Sequence, residues 1–245
     1  MGALATSKAV LEERLALMAP SRRLRLALAD EVLSARLGPG SRVLDAGCGD
    51  GLLSLALAKR HPEWEVLGVD QRGTFLDGAR ERARSRGLGN ARFVEADLTA
   101  PLPEPSFDAV VALECLHEIP DDHQALERMA EALRPGGALA LQVPESDWHP
   151  VLPGSSGIWR DEVRHGYSEG ELRTMLDDVG LVPDEFRPTY RSLVAAAQEI
   201  RDRIKAAALP VRLLAFPFLA AAVRLERLGL TWGRPSAVMA IAHRP

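Results

Sequence analysis

The sequence predicts an α/β fold in which helices cover both faces of a mostly parallel β-sheet. Short apolar runs of strand character alternate with amphipathic runs of helical period between residues 42 and 190. Parallel strands need crossover connections, and helices are the usual crossovers. The 245 residues, 47% of them hydrophobic, are enough to bury one full core. We therefore predict a single domain over residues 1–245.

Capping residues and chain breakers delimit the predicted elements. Ser21 caps a first helix that Gly38 ends, and Ser168 with Glu171 forms a capping box for a late helix. The predicted strands are 42–46, 65–69, 92–95, 107–113, 138–143, 181–190 and 236–242. The predicted helices are 22–37, 52–59, 74–86, one capped by Asp121 or Asp122 that runs to 133, and 169–179, followed by a mainly helical stretch over 191–230.

Charge and cysteine content exclude several function classes. The net charge of −4 and the pI near 5.9 provide no basic field for a phosphate backbone, so no nucleic-acid partner is expected. Cys48 and Cys115 lack CxxC or zinc-site spacing, which argues against a disulfide framework and a structural metal. The charged run from Glu12 to Arg14 is unlike a signal peptide, and no apolar run approaches the roughly 20 residues of a membrane span. A cytoplasmic protein is expected.

The run from Val43 to Gly51, VLDAGCGDG, follows the first predicted strand and has its glycines spaced GxGxG. A dinucleotide-binding turn would read GxGxxG. Asp45 stands two residues before the first glycine, which favours a cofactor with ammonium and sulfonium groups over a phosphate. Asp70 ends the second predicted strand, where a carboxylate can accept hydrogen bonds from both hydroxyls of a ribose. The two acids are predicted to face one cleft.

These motifs resemble those of class I S-adenosylmethionine-dependent methyltransferases of the small-molecule, ubiquinone- and menaquinone-biosynthesis type, over about residues 42–190. VLDAGCGDG is similar to their cofactor motif, GVDQ (68–71) to their ribose-binding strand end and EADL (95–98) to their adenine-contacting turn. FDAVVALECLHEI (107–119) resembles the strand and loop beneath the methionine moiety, and LRPGG (133–137) the turn before the fifth strand. The resemblance implies a Rossmann-like, seven-stranded sheet whose last strand is antiparallel, with the cofactor at the carboxyl ends of the strands.

The resemblance also implies which residues bind S-adenosylmethionine. Asp45 and the backbone of the glycine loop would lie near the methionine ammonium, Asp70 on the ribose and Asp97 on the adenine amino group. The implied cofactor-binding residues are Asp45, Ala46, Gly47, Cys48, Gly49, Asp70, Gln71, Asp97, Leu98 and Glu114. The methyltransferase domain would comprise N-terminal helices (1–40), a cofactor-binding core (41–190), a helical insertion (191–231) and the last strand (232–245). No metal is implied, and the side chains of Cys48 and Cys115 are interpreted as packing groups.

His117 lies just past the fourth predicted strand and is the candidate catalytic residue, as a general base on a hydroxyl nucleophile. The alternative is that it only shapes the cofactor pocket. His149 and His165 fall in segments predicted for the rim of the active site. Trp148 and Trp159 flank a loop rich in proline and glycine, which is either a mobile lid or packed on the core.

The stretch 191–230 begins amphipathic and continues with an unbroken apolar run of eleven residues, 213–223, that is interrupted in helix geometry by Pro217. It either packs on the sheet, caps a pocket for a hydrophobic substrate, or anchors the protein at a membrane surface. A run of this length is too short to cross a bilayer.

The predicted function is methyl transfer from S-adenosylmethionine to a small hydrophobic molecule, at oxygen, with nitrogen and carbon acceptors as alternatives. A nicotinamide-dependent oxidoreductase is disfavoured by the GxGxG spacing and because neither Tyr167 nor Tyr190 belongs to a Tyr-x-x-x-Lys pair. A protein that keeps the cofactor pocket but transfers nothing is the second alternative, since fold does not determine function.

Overall fold

The computed structural model describes residues 19–155, 163–204 and 209–245. Trp159 and the rest of the predicted tryptophan-flanked loop beyond residue 155 lie outside them. One seven-stranded sheet has the strand order β3-β2-β1-β4-β5-β7-β6. The strands are β1 (Arg42–Ala46), β2 (Glu65–Asp70), β3 (Ala91–Glu95), β4 (Phe107–Leu113), β5 (Leu133–Pro144), β6 (Val182–Thr189) and β7 (Ala237–His243).

The pairing confirms the predicted fold class. The pairs β1–β2, β2–β3, β1–β4 and β4–β5 are parallel, and β7 runs antiparallel to β5. Strands β1, β4 and β7 are buried along most of their length, as expected for a sheet covered on both faces. The chain builds β1 to β3 outward and then returns to place β4 beside β1. This reversal opens a crevice at the carboxyl ends of β1 and β4, where ligands bind in sheets of this kind.

The helices also begin and end near the predicted residues. They are α1 (Pro20–Ser34), α2 (Leu52–Arg60), α3 (Gly73–Ser85), α4 (Asp122–Ala132), α5 (Glu169–Asp178), α6 (Ser192–Ile204) and α7 (Leu209–Arg227), with a 3₁₀ helix at Leu116–Glu118. Asp121 caps α4 by accepting the Gln124 N–H, and Ser168 with Glu171 forms the expected capping box. Strand β5 begins at Leu133 rather than 138, because Leu133 already pairs with Phe107 across a register shift.

The chain divides into two compact units. The core unit contains the described residues 29–147, 163–187 and 237–245 and holds the central strands. The helical unit contains 19–28, 148–155, 188–204 and 209–236 and is built mainly on α6 and α7. None of the helices in the described part of the chain is long and apolar enough to cross a membrane.

Within the helical unit, Glu199 of α6 holds the loop 148–155. Its carboxylate accepts the Val151 N–H at 2.8 Å, the Leu152 N–H at 2.9 Å and the Ser155 hydroxyl at 2.7 Å. Charge-assisted hydrogen bonds of this kind are the stronger ones in proteins. The described part of the predicted lid is therefore tied to α6.

Replacing Glu199 with alanine is expected to release this loop, because three hydrogen bonds to one carboxylate disappear together. Amide hydrogen exchange at Val151 and Leu152 should accelerate by at least tenfold. The control is Glu131→Ala, which removes an exposed carboxylate of α4 that pairs with Arg128 and should leave exchange in the loop unchanged. Unaltered protection of Val151 in the Glu199 variant would contradict the assignment.

Candidate cofactor and active site

The glycine loop joins β1 to α2 and leaves an open face beside Gly49. Gly47 and Gly49 have φ of +72° and +54°, a region that other residues rarely adopt. A Cβ atom at Gly47 would lie 2.6 Å from the Cβ of Cys115, whereas one at Gly49 would meet nothing within 4 Å. Gly47 is therefore required by packing within the protein. Gly49 leaves backbone exposed to a space that a ligand can enter.

Asp70 ends β2 and fixes the glycine loop. Its Oδ2 accepts the Gly49 N–H at 2.8 Å, and its Oδ1 accepts the Arg72 N–H at 2.9 Å. The Asp70 side chain is 5% exposed. Each carboxylate oxygen has two lone-pair sites, so Oδ2 retains capacity for a further donor such as a ribose hydroxyl. The carboxylate that was predicted to bind the ribose from its place at the strand end thus lies beside Gly49.

Asp45 is buried at the end of β1 and accepts two hydrogen bonds from Ser54, the backbone N–H at 3.1 Å and the hydroxyl at 2.5 Å. Ser54 lies in the first turn of α2, where a negative charge interacts favourably with the helix dipole. Asp45 therefore connects β1 to the helix that follows the glycine loop. A contact with the methionine ammonium stays a prediction.

The turn after β3 places an exposed carboxylate and a buried leucine close to the same strand ends. Asp97 Oδ1 accepts both the N–H and the hydroxyl of Thr99, and these bonds lower the pKa of Asp97, so it is an ionised acceptor at neutral pH. Leu98 is buried, with its Cδ1 3.8 Å from the position of a Cβ on Gly47. Gln71 is exposed in the turn after β2.

The carboxyl end of β4 carries strained backbone. Glu114 has a φ of +58°, and its N–H donates to the Gln142 carbonyl at 2.9 Å, which continues the pairing with β5. Strain of this kind concentrates at functional sites. The Cys115 thiol donates to the Ala46 carbonyl at 3.3 Å and so connects the end of β4 to the start of the glycine loop.

Both cysteines fit the packing interpretation. Burial, together with nearby Asp45, raises the pKa of Cys48 and of Cys115 well above the usual range for a thiol. A thiol that stays protonated is a poor nucleophile. Neither side chain is suited to covalent catalysis.

His117 is buried in the 3₁₀ helix after β4, two residues beyond Cys115. Its carbonyl accepts the N–H groups of Val163 and Arg164, both at 3.1 Å. The segment before α5 therefore holds the backbone of His117 in place. The structure brings the predicted base to the same end of the sheet as the glycine loop and Asp70.

Sequence reasoning missed a network that supports this segment. Tyr167 is fully buried, and its hydroxyl donates to Asp122 Oδ2 at 2.8 Å. The guanidinium of Arg164 lies 4.2 Å from the centre of the Tyr167 ring and donates to Glu171 at 2.6 Å and to Asp122 at 3.4 Å. Arg164 and Tyr167 stand on either side of His165, which is exposed and was singled out instead. The signal in the sequence was a cationic and an aromatic residue, Arg164 and Tyr167, on the two sides of that histidine.

Tyr167→Phe is expected to destabilise the fold by about 1 to 3 kcal/mol, because the half-buried carboxylate of Asp122 loses a donor. Burial and the bond to Asp122 raise the pKa of Tyr167, so the phenol is a neutral donor across the working pH range. Urea unfolding measures the change. Tyr190→Phe serves as a comparison, since the Tyr190 hydroxyl donates to the neutral carbonyl of Ser21 at 3.2 Å and should contribute less. Equal effects of the two variants would contradict a special role for Asp122.

The predicted rim residues divide between the two units. His165 lies in the core unit near Arg164, whereas Trp148 and His149 belong to the loop held by Glu199 in the helical unit. His149 and His165 are both exposed. Their contact with a substrate stays a prediction.

The groups at the carboxyl ends of β1 to β4 fit S-adenosylmethionine. The open side of Gly49 admits a ligand against backbone, Asp70 supplies a buried acceptor for hydroxyl groups, and Asp97 supplies an ionised acceptor. In the described residues, no group of histidine, cysteine and acidic side chains is arranged to hold a metal ion. These carboxylates suit the hydroxyl groups of a neutral sugar and a positively charged ligand, because they accept hydrogen bonds and carry negative charge.

Comparisons with known proteins identify the family of the chain. The family model described as "Methyltransferase domain" matches residues 43–137, from β1 to Gly137 within β5. A trans-aconitate 2-methyltransferase of Methylobacterium radiotolerans is 31% identical over 180 residues, covering 68% of this chain and 67% of that protein. A trans-aconitate 2-methyltransferase of Rhodopseudomonas palustris is 35% identical over 154 residues, covering 60% of this chain and 56% of the relative. The chain thus spans a little over half of the Rhodopseudomonas palustris relative and two thirds of the Methylobacterium radiotolerans relative.

Two solved structures share the fold at low sequence identity. The cyclase SpnF superposes with a TM-score of 0.64 at 23% identity, covering 89% of this chain and 80% of its own. Coclaurine N-methyltransferase, solved with S-adenosylhomocysteine, superposes with a TM-score of 0.63 at 18% identity, covering 89% and 70%. The sheet, the glycine loop and the matched relatives together show that the chain belongs to the class I S-adenosylmethionine-dependent methyltransferase family.

Proposed function

We propose that this chain transfers a methyl group from S-adenosylmethionine to an oxygen atom of a small, uncharged and largely apolar molecule. The observation that carries methyl transfer from this cofactor is the pairing of the open Gly49 backbone with the buried carboxylate of Asp70, 2.8 Å from the Gly49 N–H. S-adenosylmethionine supplies an electrophilic methyl group when it is bound. Every other contribution comes from the residues of the chain.

The first contribution is positioning. Asp70 and the glycine loop form a rigid support, because the N–H groups of Gly47 and Cys48 both donate to the Val69 carbonyl, at 2.8 and 2.9 Å. An acceptor held in line with the methyl group reacts far faster than one in free solution. The second contribution is proton removal, for which His117 is the candidate, with an expected gain of roughly 10² to 10⁴.

The charge of the site supports an uncharged acceptor. Glu114 and Glu118 follow β4, and Glu145 and Asp147 follow β5, so four carboxylates lie at this end of the sheet. Burial is the main cause of the raised pKa of Glu145, and the nearby carboxylates of Asp147 and Glu169 raise it further by adding negative charge around it. A negative potential disfavours a polycarboxylate such as trans-aconitate, the compound named for the relatives, unless cations outside these residues offset it.

The test is a product search by mass spectrometry. The protein is incubated with trideuteromethyl-labelled S-adenosylmethionine and a panel that contains trans-aconitate, phenols, apolar alcohols and amines. We expect a labelled methyl group on a phenol or alcohol and little on trans-aconitate. Asp70→Ala is the control for the cofactor site and should lose most of the product.

Two outcomes would overturn parts of the proposal. Preferential labelling of trans-aconitate would contradict the charge argument while leaving methyl transfer intact. Cofactor binding by calorimetry with no labelled product from any class of acceptor would favour the alternative of a binding protein that keeps the fold.

A further inference from the structure

Helix α7 of the helical unit presents an exposed apolar stripe. Its residues, Val211, Leu214, Phe218, Ala221 and Leu225, are spaced by three and four positions and are all exposed. This spacing places them on one face of a helix. Leu214 and Phe218 are 73% and 77% exposed, values unusual for large apolar side chains in a folded protein.

A second face of the same helix is packed. Leu219, Ala222 and Val223 are buried within the helical unit, and Glu226 accepts the N–H of Arg191, at the start of α6, at 3.1 Å. The orientation of α7 is therefore fixed by its buried face. The stripe is exposed because the inner face of the helix already has its partners.

The chain continues the apolar surface beyond the end of α7. Leu228, Leu230 and Trp232 are all more than half exposed, and Trp232 is 72% exposed. Tryptophan and leucine beside arginine are typical of segments that lie in the interface between water and lipid. Exposed apolar residues are thus concentrated in α7 and the segment after it, whereas single exposed apolar residues are usually scattered over a protein surface.

The helical unit is strongly basic although the whole chain is acidic. Its described residues contain ten arginines against Glu199, Asp202 and Glu226, a net charge of +7, whereas the chain carries −4. Arg224 and Arg227 are exposed in the last turn of α7 and form no ion pair with any described residue. Their charge is available to an anionic partner.

We infer that the apolar stripe of α7, together with Leu228, Leu230 and Trp232, docks the protein on an anionic lipid bilayer surface. An apolar helix face flanked by arginines matches the acyl and headgroup layers of such a surface. A second copy of the chain is disfavoured as the occupant, because it would bring two cationic units together. The inference does not depend on methyl transfer.

The experiment is co-sedimentation of the full chain with large unilamellar vesicles. One set of vesicles contains phosphatidylcholine with about 30% of the anionic lipid phosphatidylglycerol. The other set contains phosphatidylcholine alone. We expect binding to the anionic vesicles at low salt, at least tenfold weaker binding to the neutral ones, and a marked loss of binding as salt screens the arginines.

Two pairs of variants separate the apolar and the electrostatic parts. Leu214→Gln with Phe218→Gln should weaken vesicle binding by roughly a hundredfold, from the loss of two large apolar side chains. Val182→Gln, at an exposed valine of the core unit, is the matched control and should bind normally. Arg224→Gln with Arg227→Gln should weaken binding roughly tenfold or more, whereas Arg84→Gln in the core unit should not.

Circular dichroism and thermal unfolding of each variant establish that the fold is kept, and only folded variants are compared. The inference is overturned if the intact chain stays in the supernatant with anionic vesicles at low salt. It is equally overturned if the Leu214 and Phe218 variant binds as tightly as the parent. Sedimentation velocity provides a further decisive outcome: a dimer that the same variant dissociates, without vesicle binding, would assign the stripe to a second copy of the chain.

Discussion

Replacing His117 with glutamine is expected to lower kcat by roughly 10² to 10⁴ while the affinity for S-adenosylmethionine stays within about twofold. Glutamine approximates the size of the imidazole and keeps hydrogen-bonding groups, but it cannot accept a proton at neutral pH. His117 is buried beside the end of β4, and its own carbonyl is held by Val163 and Arg164, so the backbone should remain in place. Single-turnover kinetics on the acceptor found by mass spectrometry measures the effect.

His123→Gln is the matched control. His123 is an exposed histidine of α4 on the surface of the core unit, 4.0 Å from Asp178, and its replacement should leave turnover unchanged. A His117 variant with lower cofactor affinity but normal turnover at saturation would show that the side chain shapes the pocket and does not act as a base. Methyl transfer to nitrogen or activated carbon would also leave turnover normal, but without the loss of cofactor affinity, since such acceptors need no base.

Asp70→Ala is expected to weaken binding of S-adenosylmethionine by roughly ten- to a hundredfold. Hydrogen bonds that involve a charged group contribute about 1.5 to 3 kcal/mol each. The variant also removes the acceptor for the Gly49 N–H, so the glycine loop loses its support at the same time. Titration calorimetry with S-adenosylhomocysteine measures the change without turnover.

Two further variants make this result specific. Asp70→Asn keeps one acceptor oxygen and should fall between the parent and Asp70→Ala. Asp77→Ala removes a carboxylate of α3 that is paired with Arg80 at the surface, and it should bind the cofactor normally. Unchanged affinity in Asp70→Ala would rule out the contact with the ribose and leave Asp70 with a role in the loop only.

The strand ends and the glycine loop were predictable from the sequence because their signals are local. Asp70 ends a short apolar run of strand character, and parallel strands present their carboxyl ends at one edge of the sheet. The capping box at Ser168 and Glu171 is likewise a contact between residues three positions apart. Local patterns of this kind can be recognised without knowledge of the tertiary fold.

Other features depend on residues far apart in the chain. The bond from Tyr167 to Asp122 joins positions 45 residues apart, and the early start of β5 at Leu133 depends on Phe107 in the neighbouring strand. Gly47 and Gly49 look equivalent in the GxGxG motif, yet Cys115 of a distant segment closes the space beside the first and leaves the second open. No spacing rule distinguishes them.

The sequence by itself determined the class of this protein: an alternating chain with a GxGxG turn, an acid at the end of the second strand and a net negative charge. Tertiary structure alone decided how those parts are used. In the folded chain Asp45 accepts a hydrogen bond from Ser54, and the carbonyl of His117 accepts the N–H groups of Val163 and Arg164. The apolar stripe around Phe218 remains exposed. The physical reason is that period and propensity act over a few residues, whereas burial and charge balance depend on which segments the fold brings together.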